Sequence, residues 1–334
     1  MASSLKLSDF DYDLPKELIA QYPLKKRDEA RLLVVNCAKA TFEHWIFKDI
    51  IEYVKPDDVL VLNDTKVLPS RLIGRRVSGG KVEALLLRKK SGNVFEALLR
   101  PARLRLNEKI IFNNGSLEGV ISSKNEVTFS VKDSAEVYHY GSMPLPPYIK
   151  RQANDADSID YQTIYAKNEG AVASPTAGLH FTKELLHDIE KSGARLTYIT
   201  LYVGYATFKP VKTETISEHV MDKEFYQIPP ETIALLKSAR LNKKRVVAVG
   251  TTSCRTLESY AATNQSEGWA DLFIYPGYEF KLVDALITNF HLPRTTLYML
   301  VCAFAGIELT RKAYQEAIEE KYRFYSYGDA LLII

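Results

Sequence analysis

Residues 59–63, Val-Leu-Val-Leu-Asn, form an unbroken apolar run closed by an amide, the pattern of a strand buried on both faces. From about residue 71 to 140 the pattern shortens and repeats. Apolar and β-branched residues cluster at 71–77, 82–88, 94–99, 109–112, 117–121, 127–131 and 137–140. Turn chemistry separates most of these runs: Ser78-Gly79-Gly80, Ser91-Gly92-Asn93, Asn113-Asn114-Gly115 and Lys124-Asn125. Short strands at such spacing predict a small antiparallel β-barrel.

Residues 141–148, Gly-Ser-Met-Pro-Leu-Pro-Pro-Tyr, hold too much proline for a helix or a central strand and read as an extended linker leaving the barrel. Beyond about 155, helical and strand patterns alternate. Thr182 is placed to cap a helix carrying Leu185, Leu186 and Ile189, with Gly193 as its stop. Strands are predicted at 195–203, 246–249 and 272–275. Helices are predicted from Pro230-Glu231, over 252–262 and over 311–320. The simplest architecture is a mixed α/β (α+β) main domain made from both chain ends, residues 1–68 and 151–334, with the small antiparallel barrel inserted at 69–150.

The formal net charge of only +3 predicts no general affinity for nucleic acid. Its distribution changes that picture. From Arg71 to Lys109, eleven basic residues face only Glu83, Glu96 and Glu108, a net of +8, so the remainder carries −5. A basic barrel on a slightly acidic body suits a phosphate backbone; charge alone supports a merely solvated sheet face equally well. Three scattered cysteines, Cys37, Cys254 and Cys302, predict no disulfide framework and a reducing cytosol. The stretch from Met1 to Phe10 has no apolar run of signal-peptide length, and the apolar stretch at 297–307 is about half a bilayer span. A cytoplasmic protein without membrane insertion is expected.

Three stretches look built for chemistry. Residues 170–182, Gly-Ala-Val-Ala-Ser-Pro-Thr-Ala-Gly-Leu-His-Phe-Thr, are small enough to let a ligand approach the backbone. Pro175 stiffens the run and Gly178 can take a positive φ. His180 sits just before a helix start, where free N–H groups favour anions, and its ordinary pKa suits proton transfer. A tight turn with His180 as its cap is the structural alternative. At 246–258, Val-Val-Ala-Val-Gly-Thr-Thr-Ser-Cys-Arg-Thr-Leu-Glu, a strand passes through a small polar turn into a helix, where α/β proteins bind ligands. Thr251, Thr252 and Ser253 supply hydroxyls. Arg255 can grip a carboxylate or phosphate, or else pair with a structural acid. The glycine spacing and lysine of a P-loop are missing. At 284–294, Asp-Ala-Leu-Ile-Thr-Asn-Phe-His-Leu-Pro-Arg, residues 287–292 alternate as a strand, which sets Asn289 and His291 on one side with Arg294 just beyond. Asp64 is a smaller candidate, for catalysis or a turn cap. Tyr327 is another, for stacking on a base or filling a core. No His, Cys or carboxylate spacing matches a metal site.

Taken together these stretches resemble the S-adenosylmethionine:tRNA ribosyltransferase-isomerase family of queuosine biosynthesis. The resemblance runs through Phe10-Asp11-Tyr12-Asp13-Leu14-Pro15, Leu62-Asn63-Asp64-Thr65-Lys66-Val67, Leu99-Arg100-Pro101-Ala102-Arg103, residues 143–149, Asp160-Tyr161-Gln162-Thr163, Gly250-Thr251-Thr252-Ser253, residues 273–278 and 284–294, and Tyr325-Ser326-Tyr327-Gly328-Asp329. Pro175 to Thr182 is its most specific part.

The resemblance implies transfer of the ribosyl group of S-adenosylmethionine, a co-substrate rather than a bound cofactor, onto the aminomethyl-deazaguanine base at the wobble position of a tRNA with a GUN anticodon. It also implies a two-domain fold with an inserted barrel. On that basis His180, His291 and Asp64 are the catalytic candidates. Pro175, Thr176, Gly178, Thr251, Thr252, Arg255, Asn289 and Arg294 are those for S-adenosylmethionine, with Arg255 or Arg294 on its carboxylate. Arg71, Arg100, Arg103 and Tyr327 are those for RNA, and a monomer is expected. One departure stands out: the family's usual Leu-His-Val-Gly run reads Leu201-Tyr202-Val203-Gly204 here, and Ala206 replaces a glycine. A phenol is a poor base near neutrality. Two rival readings are an RNA methyltransferase, which would show an early glycine-rich loop that is missing, and a non-catalytic tRNA binder.

Overall fold

The computed structural model describes residues 5–208 and 210–334. In chain order the strands are β1 (Arg31–Asn36), β2 (Thr41–Ile46), β3 (Val59–Asn63), β4 (Thr65–Val67), β5 (Arg71–Arg76), β6 (Lys81–Lys89), β7 (Val94–Arg100), β8 (Lys109–Phe112), β9 (Leu117–Ser123) and β10 (Glu126–Phe129). They continue with β11 (Asn168–Ala171), β12 (Arg195–Leu201), β13 (Glu224–Gln227), β14 (Val246–Val249), β15 (Glu267–Ala270), β16 (Ala285–Asn289) and β17 (Ala330–Ile333). The α-helices are α1 (Asp157–Asp160), α2 (Lys183–Lys191), α3 (Pro230–Leu241), α4 (Thr251–Thr263), α5 (Thr296–Ala305) and α6 (Ile307–Glu319).

Nine strands make one mixed sheet in the order β15-β13-β12-β3-β14-β16-β17-β1-β2. Its centre, β12-β3-β14-β16, is parallel. Parallel strands are covered on both faces, which explains the unbroken apolar run of β3. Val59 and Val61 pack in the core that holds Leu236 of α3 and Leu257 of α4. Leu60 and Leu62 pack in the opposite core with Leu185, Leu186 and Ile189 of α2. Each such side chain, fully buried, contributes about 1.5–3 kcal/mol. Thr182 caps α2, its hydroxyl accepting from the Leu185 amide at 3.1 Å.

Between the two parts of the main sheet, β5 to β10 close into an antiparallel barrel in the order β10-β7-β6-β5-β8-β9, around its own core of Leu72, Val82, Phe95, Phe112 and Phe129. The fold is thus the mixed α/β body with an inserted small barrel that the pattern predicts.

Several elements differ from their sequence pattern. Residues 137–140 are not a seventh barrel strand but the end of a 3-10 turn, Ser134–Tyr140. Asp133 starts this turn by accepting from the Ala135 amide, and Val137 seals the barrel core, so the apolar residues reflect packing rather than a ladder. Residues 272–275 form no strand; Ile274 anchors a loop in the main core, and the strand lies earlier, at β15. β16 stops at Asn289, whose last partner is Ala330. α6 begins at Ile307, where Gly306 (φ +86°) breaks it from α5. Among the described residues no helix is long and apolar enough to cross a membrane. All three cysteines are free. Met1–Ser4, which open the stretch read as lacking a leader, lie outside the described residues, and so does the side chain of Ala206.

Candidate functional site

Because β12, β3, β14 and β16 run the same way, their carboxyl ends meet at one edge of the sheet, where ligands of α/β proteins bind. A cavity of about 500 Å³, counting its mouth, opens there. Its wall comes from Ala173–Ala177, Val203 after β12, Gly250–Thr252 after β14, and Thr288–His291 at the end of β16. Gly250 (φ +91°) turns the chain sharply from β14 into α4. Tyr148, Thr207, Leu297, Tyr325 and Ser326 complete the wall. Tyr325 holds a left-handed backbone (φ +74°), a strained state for an aromatic residue of the kind that gathers at functional sites.

A hydrogen-bond chain crosses from this cavity into the protein. The Thr176 hydroxyl donates to Asn289 Oδ1 (3.0 Å), and Asn289 Nδ2 donates to His180 Nε2 (3.0 Å). With Nε2 accepting, the His180 ring proton lies on Nδ1, towards the Arg27 backbone. Burial pushes the His180 pKa down to about 4 and that of His291 to about 3, so both rings are neutral near pH 7. The His291 peptide is pinned from both sides. Its N–H donates to the Tyr314 hydroxyl (3.1 Å), and its carbonyl accepts from the Tyr12 hydroxyl. His291 Nδ1, Ser174 Oγ and Thr252 Oγ1 are buried with no partner. An unpartnered buried polar atom costs about 1–3 kcal/mol, and three on one wall mark a surface built for a ligand. The first turn of α4 adds backbone N–H groups that no helical carbonyl can satisfy.

His180 does not itself line this cavity. It faces a second pocket of about 320 Å³ with Arg27, Asp160 and Tyr327, and the two share Ser326 as a wall. Pro175, Thr176, Thr251, Thr252, Asn289 and His291 do line the cavity. Gly178 lies beside it but has no positive φ, contrary to expectation. A Cβ there would sit 2.0 Å from the Tyr165 hydroxyl, so close packing requires the glycine.

Other predicted residues lie elsewhere. Arg255 is buried against Glu224 (2.7 Å) and the Ala270 carbonyl, on the wall of a neighbouring pocket. Arg294 pairs with Asp11 at a half-exposed position. Asp64 accepts from Asn168 Nδ2 and the Thr200 hydroxyl, which fastens β3 to β11 and β12. Arg71 pairs with Glu83 and donates to the Leu145 carbonyl (2.9 Å), bracing the barrel against the proline-rich linker. Arg100 and Arg103 stand exposed on the barrel. Tyr327 is only 4% exposed, its hydroxyl donating to Asp157 (2.9 Å), so its ring offers no open face to a base. Residue-by-residue reading missed Tyr12, Tyr148 and Thr207. The first two lie inside motifs quoted for the resemblance, which was their only signal. Among the described residues no group of three or more potential metal ligands comes together.

The fold and the cavity define a mixed α/β protein with an inserted barrel and a buried, largely uncharged ligand site at its parallel strand ends. Residues 7–333 match the model of the family described as queuosine biosynthesis protein, and the chain belongs to that family. It is 52% identical over 336 residues to the S-adenosylmethionine:tRNA ribosyltransferase-isomerase of Sulfurihydrogenibium sp. (99% of this chain, 100% of the relative). It is 49% identical over 346 residues to the protein of that name from Caldanaerobacter subterraneus subsp. tengcongensis (99% and 100%). A crystal structure of S-adenosylmethionine tRNA ribosyltransferase from Thermotoga maritima matches with a TM-score of 0.57 at 38% identity, covering 98% of this chain and 100% of that one.

Proposed function

We propose that the protein transfers and isomerises the ribosyl moiety of S-adenosylmethionine onto the 7-aminomethyl-7-deazaguanine base at the tRNA wobble position, giving epoxyqueuosine and releasing adenine and methionine. The observation that carries this reading is end-to-end similarity, at about half identity, to relatives of that name.

The sulfonium acidifies the neighbouring ribose carbon. A base removes a proton to give an ylide, opening of the ribose expels adenine with a proton from an acid, the RNA amine attacks, and methionine leaves as a thioether. His291 is assigned the proton transfer, because its Nδ1 is unpartnered on the cavity wall. Burial keeps its ring neutral, with a lone pair able to accept a proton, though it also weakens the ring as a base relative to a free imidazole. His180, engaged at both ring nitrogens, acts through Asn289 by fixing the amide's orientation. The methionine carboxylate goes to the first turn of α4, with the Thr252 and Ser174 hydroxyls beside it. Arg255 and Arg294 are already neutralised by Glu224 and Asp11. Asp64 serves as a clamp between strands. Residues 69–150 act as one RNA-holding unit on which Arg100 and Arg103 meet the phosphates of a GUN anticodon arm. The protein works as a cytoplasmic monomer.

The test is incubation with labelled S-adenosylmethionine and tRNA bearing the precursor base. Free adenine and epoxyqueuosine in the nucleoside digest are expected. S-adenosylhomocysteine would instead indicate a methyltransferase, and no product at all would leave only an RNA binder.

A further inference from the structure

At its β15 edge the main sheet carries a row of aromatic rings that the cavity chemistry does not use. Tyr202 follows β12, Phe225 lies in β13 and Trp269 in β15. The Tyr202 amide donates to the Phe225 carbonyl (3.0 Å), and Phe225 is paired in register with Trp269. The three side chains are therefore neighbours on one face. The Tyr202 and Phe225 rings are near-parallel (24°, centroids 6.4 Å apart), and Trp269 meets Phe225 edge-on at 5.4 Å. Leu201, Tyr226 and Ala270, next along the same strands, point into the main core, so the row faces the opposite way. Trp269 is 52% exposed. Aromatic rings on a sheet normally fill a core, and a row left open on one face needs an occupant.

The surroundings say which. The row lines a cleft of about 1980 Å³ whose other wall is the barrel, with Leu98, Arg88 and Lys89. Of the acids in the cleft, Glu96 is paired with Arg88 (3.1 Å), Glu169 with Lys66 (3.0 Å) and Glu224 with Arg255 (2.7 Å), and Asp222 is also engaged. Lys89 has no acidic partner among the described residues. Val203 lines both this cleft and the reaction cavity, so the two adjoin across it. An exposed indole flanked by two half-buried rings, with an unpaired lysine beside a reaction cavity, has the parts of a single-stranded nucleic acid site.

We propose that Tyr202, Phe225 and Trp269 form a stacking platform for unpaired bases of an RNA loop, those flanking the base that enters the cavity. A base that leaves its stack for a buried site strips its neighbours of stacking, and rings at the mouth replace what is lost. This rests on the reading of the substrate as tRNA. It also gives the phenol at Tyr202 a use that involves no proton transfer.

The chain has two tryptophans, so Trp45→Phe leaves Trp269 as the sole indole. An RNA stem-loop with an unpaired loop should quench Trp269 emission on binding, and a blunt duplex of equal length should not. Trp269→Ala should weaken stem-loop binding about tenfold, and Trp269→Phe should recover most of it. Binding without quenching, equal quenching by the duplex, or Trp269→Ala binding within about twofold of the parent would overturn the platform. Adenine release by the parent protein is read separately. Release without quenching sinks the platform alone, whereas quenching without release sinks the proposed reaction and leaves the platform standing.

Discussion

The cavity at the strand ends holds buried, uncharged polar groups, whereas the barrel carries exposed, ionised ones. Burial keeps His291 on the cavity wall and His180 behind it neutral, and His291 Nδ1, Ser174 Oγ and Thr252 Oγ1 have no partner. On the barrel, five of the eleven cations between Arg71 and Lys109 meet carboxylates: Arg71 with Glu83, Arg76 with Glu108, Arg88 with Glu96, Lys90 with Glu126 and Lys109 with Glu118. Glu118 and Glu126 lie beyond the segment in which the excess charge was counted. The cations left unpaired among the described residues are Arg75, Lys81, Lys89, Arg100, Arg103 and Arg105. Unsatisfied buried groups serve selective chemistry, because each has a large energy at stake. Exposed charges serve long-range, salt-dependent holding, because each is screened and worth little singly.

The sharpest way to break this contrast is at His291. His291→Ala is expected to lower kcat for adenine release by about 10²–10⁴-fold, with the folded circular dichroism spectrum retained. Turnover near that of the parent would remove the ring from the chemistry.

The next effect is on stability against pH. In the unfolded chain each histidine titrates near its ordinary value, but in the folded protein only at about 4 (His180) and about 3 (His291). Between these values the unfolded chain binds more protons, so stability is lost as pH falls below about 6.5. At pH 5 the loss is roughly 2 kcal/mol per histidine. Urea midpoints at pH 7.5 and 5 check this, and His180→Asn should remove about half of the dependence. Equal midpoints in the parent protein would mean the rings are not buried as neutral groups.

Smaller still is Thr252→Val. It should raise KM for S-adenosylmethionine about tenfold and leave stability almost unchanged, since the hydroxyl has no protein partner to lose. A loss of stability with unchanged KM would make it a structural hydroxyl.

The smallest effects belong to the barrel. Arg100→Ala and Arg103→Ala should each weaken tRNA binding severalfold and reduce the slope of log affinity against log salt by about 1. Arg88→Ala, which removes a cation already paired with Glu96, should change that slope less. Equal slopes for paired and unpaired positions would dissolve the distinction.

Much of the fold was legible where local signals are strong. The barrel strands, β3 and β14 announced themselves through period, length and turn residues, and Thr182 and Gly193 through capping chemistry. β1, β2, β13 and β17 were not read, since none carries a strong local start and stop; α5, capped by Thr295 and ended by Gly306, was weighed only as an apolar stretch against a bilayer span. The 137–140 and 272–275 runs misled because apolar residues anchoring a turn or a loop look like a strand until their hydrogen-bond partners are known. At the site, the 170–182, 246–258 and 284–294 stretches do converge on the parallel strand ends. Yet His180 stands behind Asn289 rather than beside His291.

The amino-acid sequence by itself determined which segments build the barrel and the central strands, and which small-residue stretches reach the reaction edge. Those properties depend on neighbours within a few positions along the chain. Only the tertiary structure decided which charges are spent and which remain. Arg294 meets Asp11 across 283 positions, Arg255 meets Glu224 across 31, and Asn289 reaches His180 across 109. The partner of a charged or polar side chain is set by where distant backbone brings a complementary group, and burial then fixes how strongly the pair holds.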